Sequence, residues 1–403
     1  MSIYLHDIPL PVAQDKLKQA LISAGLWGRL GIESIVLDEH AVGRVLAEPV
    51  WAKISSPHYH ASAMDGFAVR TLETSSAGPA TPVTLLYSAQ TVYVDTGDPL
   101  PEWADGVIPI EQVEPVDEGD VIALDARRPR AIRIRAALTP WSHVRPVGED
   151  IVATQLVLPE GHRLRPVDLG ALAASGQASV NVARSPKVAI LPTGSELVPA
   201  GHAVQPGEII EYNSLVMAAQ LQSWGARPTR YPITPDIFTA IQEKVLEAAM
   251  DHDLVLLNAG SSAGAEDFSA GVIDSLGEVL VHGVAVRPGH PVILGMLHLG
   301  QRRVPVVGVP GYPVSAALTL EIFVAGLIAR WLGAAPQQPQ QIKARLTRKV
   351  TSPPGDDDYL RVVVGRVGEQ MLAAPLTRGA GVITSLVRAD GLVVIPRGAQ
   401  GLP

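Results

Sequence analysis

Apolar residues recur at helical spacing between residues 14 and 26, at Leu17, Ala20, Leu21 and Ala24, and predict a first helix. A second, short helix is expected over 39–46. From about 47 to 149 the pattern breaks into short runs: Val83-Thr84-Leu85-Leu86-Tyr87, Gly106-Val107-Ile108-Pro109-Ile110 and Val121-Ile122-Ala123-Leu124. Each is bounded by Gly, Pro or Asp, so this stretch reads as β-rich. From 186 to about 332 near-continuous apolar strands alternate with loops and helices, which argues for a parallel sheet covered on both faces. Its third strand, Val304-Pro305-Val306-Val307-Gly308-Val309, leads to a Pro-Gly turn and a long apolar helix over 314–331. Residues 342–403 turn β again, with period-2 alternation in Tyr359-Leu360-Arg361-Val362-Val363-Val364. Between these last two regions, 333–341 holds two Pro and no apolar periodicity, and reads as a connector.

Length and composition narrow the class. At 403 residues the chain exceeds one ordinary core and is expected to form several domains. Its 37 Gly and 34 Pro, with only 4% aromatics, suit many short elements joined by tight turns. Hydrophobic residues reach 47%, yet no run has the ~18 uninterrupted apolar residues of a membrane span. The N-terminus has no secretory-signal pattern, and the absence of Cys excludes disulfides, thiolate metal sites and Cys nucleophiles. The expectation is a cytoplasmic protein. A formal charge of −8 argues against a nucleic-acid surface. Anionic ligands would therefore be held locally, by helix N-termini and a few Arg.

Three loops follow strands of the α/β region, where parallel sheets bind ligands. The first, Pro192-Thr193-Gly194-Ser195-Glu196-Leu197, offers Gly for close backbone approach and Glu196 for a cation. The second runs Asn258-Ala259-Gly260-Ser261-Ser262-Ala263-Gly264-Ala265-Glu266-Asp267-Phe268. It reads as an anion cradle, with acids at the helix start placed for Mg²⁺. In the third, Pro310-Gly311-Tyr312-Pro313-Val314-Ser315, Ser315 falls in a first helical turn. Each alone reads first as a tight connection; three at one sheet edge point to an elongated ligand with phosphate or pterin-like polar edges. Nearby, Arg287-Pro288-Gly289-His290-Pro291 places two cation-capable residues around a Pro-Gly turn, suited to an oxyanion or to a solvated hairpin tip.

The most distinctive stretch is Ala61-Ser62-Ala63-Met64-Asp65-Gly66-Phe67-Ala68-Val69. Asp-Gly between apolar arms is a turn that presents a carboxylate, or a β-turn without chemistry. The stretch resembles the SAMDG(F/Y)A signature of molybdopterin molybdenumtransferases, the MoeA family. Further segments are similar in order: Asp95-Thr96-Gly97 with Ala104-Asp105-Gly106, Gly148-Glu149-Asp150-Ile151, Thr193-Gly194-Ser195-Glu196-Leu197, Tyr212-Asn213-Ser214, and Pro310-Gly311-Tyr312-Pro313.

The resemblance implies a multidomain α/β plus β architecture. An elongated linker domain (1–46 and 150–185) carries an inserted β-rich domain (47–149) with the signature. A three-layer α/β molybdopterin-binding domain (186–334) and a C-terminal β-barrel-like domain (342–403) follow. It implies a homodimer with a shared active site, in which molybdate enters adenylated molybdopterin, AMP leaves and Mg²⁺ assists. Asp65, Asp150, Glu196 and Asp267 become the catalytic acids, Glu196 and Asp267 holding Mg²⁺. Thr96, Thr193, Gly194, Asn213, Ser214, Gly260, Ser261, Ser262, Gly264, Pro310 and Gly311 become substrate contacts, while Arg287, His290, Ser315, Arg361 and Ser385 surround molybdate. The alternatives are a molybdopterin adenylyltransferase, against which the Asp65 signature argues, and a non-catalytic gephyrin-type scaffold, against which three retained acids argue.

Several positions depart from the family pattern. The usual GGVSVG is Ala259-Gly260-Ser261-Ser262-Ala263-Gly264, KPGKP is Arg287-Pro288-Gly289-His290-Pro291, and PGNP is Pro310-Gly311-Tyr312-Pro313. Pro235 replaces an acid next to Asp236, and Ala380-Gly381 stands where a serine pair is usual. The chain stops at Gly401-Leu402-Pro403, one strand earlier than the family, so an incomplete barrel or a further domain is expected.

Overall fold

The computed structural model describes residues 7–259, 263–335 and 340–402. The chain forms two compact units, one of Met1–Glu33, Gly43–Ala47 and Val182–Pro403, the other of Ser34–Val42 and Glu48–Asn181.

The larger unit is built on a six-stranded sheet. Its strands are β1 (Lys187–Pro192), β2 (Arg227–Arg230), β3 (Leu254–Asn258), β4 (Gly277–His282), β5 (Ile293–Leu299) and β6 (Arg302–Val309), in the order β2-β1-β3-β6-β5-β4. The first four in that order are parallel, and β5 and β4 continue antiparallel. Alternation along the strands fills both faces, as two-sided burial requires. Val188, Ile190, Leu254 and Leu256 pack with α1 (Leu10–Ser23) and α2 (Asn213–Trp224), whereas Ala189, Leu191, Val255 and Leu257 pack with α3 (Phe238–Asp251) and α4 (Ala263–Leu276). The result is the expected three-layer α/β domain.

The long apolar helix after β6 is interrupted. It runs as α5 (Pro313–Thr319), a π-helical turn (Leu320–Val324) and a last α segment (Ala325–Trp331). It is the one helix among the described residues long and apolar enough to cross a membrane, but most of it is buried, and Trp331 Nε1 donates to Leu26 O at 2.8 Å.

Residues 345–402 form a half-barrel. Asp357–Val367 pairs with Gln370–Pro375 and Gly391–Ile395 around Val350, Leu360, Val362, Ala373 and Ile395. A two-residue strand of the α/β region, Val286–Arg287, joins this sheet parallel to Asp357 and Asp358. Gly401–Leu402 is a strand paired antiparallel with Val350–Thr351.

The smaller unit packs two antiparallel three-stranded sheets. Gly66–Val69 lies between Thr91–Val94 and Gly106–Pro109, and Ala131–Ile134 lies between Val83–Leu86 and Glu114–Val116. Phe67, Val69, Leu85, Ile108, Ile132 and Ile134 fill the space between them. Residue 66 has to be glycine: a Cβ there would stand 2.1 Å from the Ile108 carbonyl oxygen.

Three elements differ from expectation. The first helix begins four residues early, because Pro11 occupies the first turn, where a missing N–H costs nothing. The helix expected at 39–46 shrinks to a 3₁₀ turn, Glu39–Ala41, and Gly43 at φ +82 ends it. The run 121–124 is no strand but carries a single bridge, Ile122 to Val116.

Candidate functional site

The carboxyl ends of β1, β3 and β6 meet at one residue, Asn258. Its Nδ2 donates to the carbonyls of Val309 and Pro310, each at 3.2 Å. Its backbone carbonyl accepts the Thr193 N–H at 2.9 Å and the Thr193 hydroxyl at 3.3 Å. Asn213, at the start of α2, donates to Asn258 Oδ1 at 3.3 Å and to Gly311 O at 2.7 Å. A polar residue closing the apolar run Leu254–Leu257 was visible in the sequence, yet its role depends on carbonyls some fifty residues away.

This bracket forms the floor of a 210 Å³ cleft lined by Glu196, Tyr212, Asn213, Asn258, Gly311, Tyr312 and Gly381, among others. Of the expected site residues, Glu196, Asn213 and Gly311 are thus brought together. The first loop does not expose its amides as expected: Thr193 N–H serves Asn258 O, and Gly194 N–H serves Thr234 O at 3.1 Å. Gly194 matters for space instead, since a Cβ there would meet Leu197 Cγ at 2.7 Å and Glu196 Oε2 at 2.9 Å. Ser195 N–H donates to Asp236 Oδ2 at 3.2 Å, and Oδ1 of Asp236 is buried without a hydrogen-bond partner.

Ser214 belongs to a buried cluster instead of the cleft wall. Its N–H and hydroxyl donate to Glu211 at 2.7 and 2.6 Å, and its oxygen accepts from Arg230 at 2.8 Å. Gly260, Ser261 and Ser262 lie outside the described residues. Gly264 and Asp267 fall on α4, whose side chains before Phe268 lie outside them too. Among the described residues no three His, Asp or Glu side chains converge as a preformed metal cage.

The segments expected around an oxyanion are neighbours. Val286–Arg287 pairs with the strand that carries Arg361, and the open side of Gly289 faces Thr319 and the Ser315 carbonyl. Their side chains are engaged, however: Arg287 with Asp356, and His290 Nε2 with Asp7 Oδ1 at 2.6 Å. Ser315 is 3% exposed, and the Ser385 hydroxyl donates to Val382 O at 2.7 Å. Arg361 is equally buried. It donates Nη2 to Thr377 O at 2.9 Å and Gly379 O at 3.3 Å, while its Nε has no partner. Burial pulls its basicity below the usual arginine value, with Asp358 opposing. The first-turn amide of Val314 is capped by Ala380 O at 3.0 Å, so the barrel closes the N-terminus of α5.

In the smaller unit, Asp65 stands on the turn before Gly66–Val69. Thr96 donates both its hydroxyl and its N–H to Asp65 Oδ1, each at 2.7 Å. These two bonds, hydroxyl first, hold the Asp65 carboxyl below the usual aspartate range, with help from the Arg127 charge. Asp150 is exposed, and its N–H donates to Ser56 O at 3.0 Å on the segment leading to the signature.

Residues 8–176 match the MoeA N-terminal region (domain I and II), 189–330 a "Probable molybdopterin binding domain", and 343–403 the MoeA C-terminal region (domain IV). Molybdopterin molybdenumtransferase 2 of Mycobacterium tuberculosis is 32% identical over 383 residues, spanning 88% of this chain and 89% of its own. The chain belongs to the MoeA family. The molybdopterin molybdenumtransferase of Haemophilus influenzae is 29% identical over 370 residues, covering 89% and 88% of the two chains. Among solved structures, the molybdopterin biosynthesis MoeA protein of Pyrococcus horikosii superposes with a TM-score of 0.81 at 30% identity, covering 98% of this chain and 96% of its own.

Within the MoeA frame, two departures noted in the sequence are neighbours in space. Tyr312, in place of the usual Asn, lays its ring against Gly381, at the usual serine pair: a Cβ on residue 381 would be 3.4 Å from the ring. That is an ordinary van der Waals distance, so a small side chain at 381 would touch the ring without displacing it.

Proposed function

We propose that this MoeA protein inserts molybdenum into molybdopterin: adenylated molybdopterin and molybdate bind, the phosphoanhydride is cleaved to release AMP, and the metal ends on the dithiolene. The observation that carries this reading is the cleft closed underneath by Asn258, at the carboxyl edge of the parallel strands, with the Glu196 carboxylate in its wall.

Asn213, Tyr212 and Gly311 offer polar and flat surfaces to a pterin edge. Arg361 Nε, a buried donor without an acceptor, suits an oxyanion such as molybdate, and Arg287 and His290 would exchange Asp356 and Asp7 for it. Asp65, ionised by its Thr96 bonds, supplies negative charge from the signature unit, with Asp150 supporting. Thr193 and Gly194 would brace the first loop, and Ser214, Ser315 and Ser385 would support the site from buried positions behind it.

Mg²⁺ fits this donor set as a substrate-borne ion. It keeps much of its water shell and takes only one or two protein carboxylates beside phosphate oxygens, so no cage is needed. Glu196 and Asp267 would hold it, and the unpartnered Oδ1 of Asp236 marks further unused acceptor capacity. When bound, it would offset the charge of the pyrophosphate. Gly260, Ser261, Ser262 and Gly264 would cradle the phosphate. The enzyme acts as a homodimer in the cytoplasm, the Asp65 turn of one protomer serving the cleft of its partner.

The test is direct. The protein is incubated with adenylated molybdopterin, molybdate and Mg²⁺, and AMP is measured. AMP release that depends on molybdate supports the reading; no release, with substrate intact, ends it.

A further inference from the structure

The cleft over Asn258 has exchanged small polar residues for an aromatic wall. Tyr312 stands where Asn is usual, and Ala380-Gly381 where a serine pair is usual. Tyr312 is 52% exposed, lines the cleft and rests against Gly381. Tyr212 lines the same cleft, and neither ring stacks on another aromatic ring among the described residues. Ile209 and Ile210, both partly exposed, add aliphatic surface. At 210 Å³ the cleft is smaller than the roughly 300–1,000 Å³ usual for drug-sized ligands, so it takes one flat ring system and not a whole nucleotide conjugate.

The floor restricts what can lie against that wall. A side-chain amide has two N–H donors and one carbonyl. Asn213 spends both donors, on Gly311 O at 2.7 Å and on Asn258 Oδ1 at 3.3 Å. Asn258 spends its two on the carbonyls of Val309 and Pro310. Backbone carbonyls can only accept, so they fix the orientation of both amides. Asn213 is left with its carbonyl oxygen for a ligand, and the carboxylates of Glu196 and Glu211 in the same wall accept as well. Apart from the two phenols, the polar side chains of the cleft among the described residues offer acceptors alone.

We propose that Tyr312 is a specificity-determining residue, and that with Asn213 it selects a ring carrying a 2-amino-4-oxopyrimidine edge, which in the substrate is the pterin. That edge sets an amino group beside a ring N–H. Two coplanar donors then meet the acceptors of the floor while the ring face lies on the phenol. Every residue involved belongs to the larger unit, and all but Gly381 fall in the stretch matched as a probable molybdopterin binding domain. The proposal deepens the metal-insertion reading above and rests on it.

The test measures binding of pterin and lumazine by quenching of their fluorescence, and of guanosine by competition with pterin. Lumazine keeps the bicycle but has oxygen in place of the 2-amino group, so it turns an acceptor toward acceptors. Wild type should bind pterin, and lumazine about 5- to 100-fold more weakly. Tyr312→Ala and Tyr312→Asn should each weaken pterin binding about 5- to 100-fold, the range for losing one ring stack, and Tyr312→Phe should keep most of it. Thermal unfolding checks the fold; if Tyr312→Ala unfolds early, Tyr312→Asn, which carries the family's usual residue, decides. The slot is overturned if wild type does not bind pterin, or binds lumazine as tightly or guanosine more tightly. Unchanged pterin affinity in a folded Tyr312→Ala or Tyr312→Asn overturns it too. Turnover separates the two readings. Where wild type releases AMP from the adenylated substrate, any of these results removes the slot alone. Where wild type releases none yet binds pterin as expected, the metal-insertion reading falls and the ring preference of the cleft stands.

Discussion

Thr96 gives both of its donors to a single oxygen of Asp65, and in doing so keeps that exposed carboxyl ionised below the usual aspartate range. Thr96→Val removes the hydroxyl, the larger of the two contributions, and keeps the N–H. The Asp65 carboxyl should then titrate higher, toward the ordinary value, and a carboxyl-carbon NMR titration reads the change. If AMP release needs the charged form, its acid limb moves to higher pH in Thr96→Val. Asp65→Asn should retain the fold and lose AMP release altogether. An unmoved acid limb, with an active Asp65→Asn, would make the signature a structural turn.

Asn258→Ala should be costly because it strands buried groups on several elements. The carbonyls of Val309 and Pro310 lose their donor, and each unsatisfied group costs about 1–3 kcal/mol. A loss of about 2–4 kcal/mol in denaturant unfolding is expected, together with a raised KM for the adenylated substrate. Asn258→Asp should be at least as damaging, since it replaces the donor with charge. A stable variant with normal KM would show that the three loops hold themselves.

Glu196 and Asp267 are proposed to share one Mg²⁺. Each Ala variant should then raise the Mg²⁺ concentration needed for half-maximal AMP release about tenfold or more, and the double variant should be little worse than either. Additive losses across the series would assign the acids to separate tasks.

Asp168 provides a stability test away from the site. Its carboxylate is buried, accepts from the Arg165 side chain and N–H at the start of Pro166–Ala174, and meets His162 Nε2 at 2.7 Å. The Arg165 bonds, with those of His162, hold its pKa well below the usual range. A depressed carboxylate pKa stabilises the fold above the unfolded value, near 3.8, and loses that contribution as pH falls through the folded value. At pH 7 Asp168→Asn should cost about 2 kcal/mol. The gap should narrow below about pH 4, because wild type falls to meet the variant. A gap that persists unchanged in acid would mean that shape, not charge, holds this corner.

What could be read from the sequence was local. Lys187–Pro192 and Leu254–Asn258 announce themselves as two-face-buried strands, and Asp65-Gly66 announces a turn between arms. The loops after those strands were placed correctly, but their amides were not: whether Gly194 N–H is free depends on Thr234, forty residues on. Arg287 likewise looked like a free cation, and its partner Asp356 sits on the far side of an entire helix and strand pair. The stretch 39–46 misled because its apolar spacing fits a helix, while Gly43 at positive φ turns the chain out of it. Pairings across long separations decide which polar groups remain for a ligand, and no window of neighbouring residues contains them.

The hydrogen bond from Val314 to Ala380 makes one amide a reporter on the cleft. That N–H can exchange with solvent only when the barrel carbonyl moves off the start of the helix. Its exchange rate therefore counts excursions of the Gly381 wall, residue by residue and without any label. A bound ligand that needs the wall shut would slow that single signal, and one that needs it open would speed it. Motion of the site thus has a clock already written into its backbone.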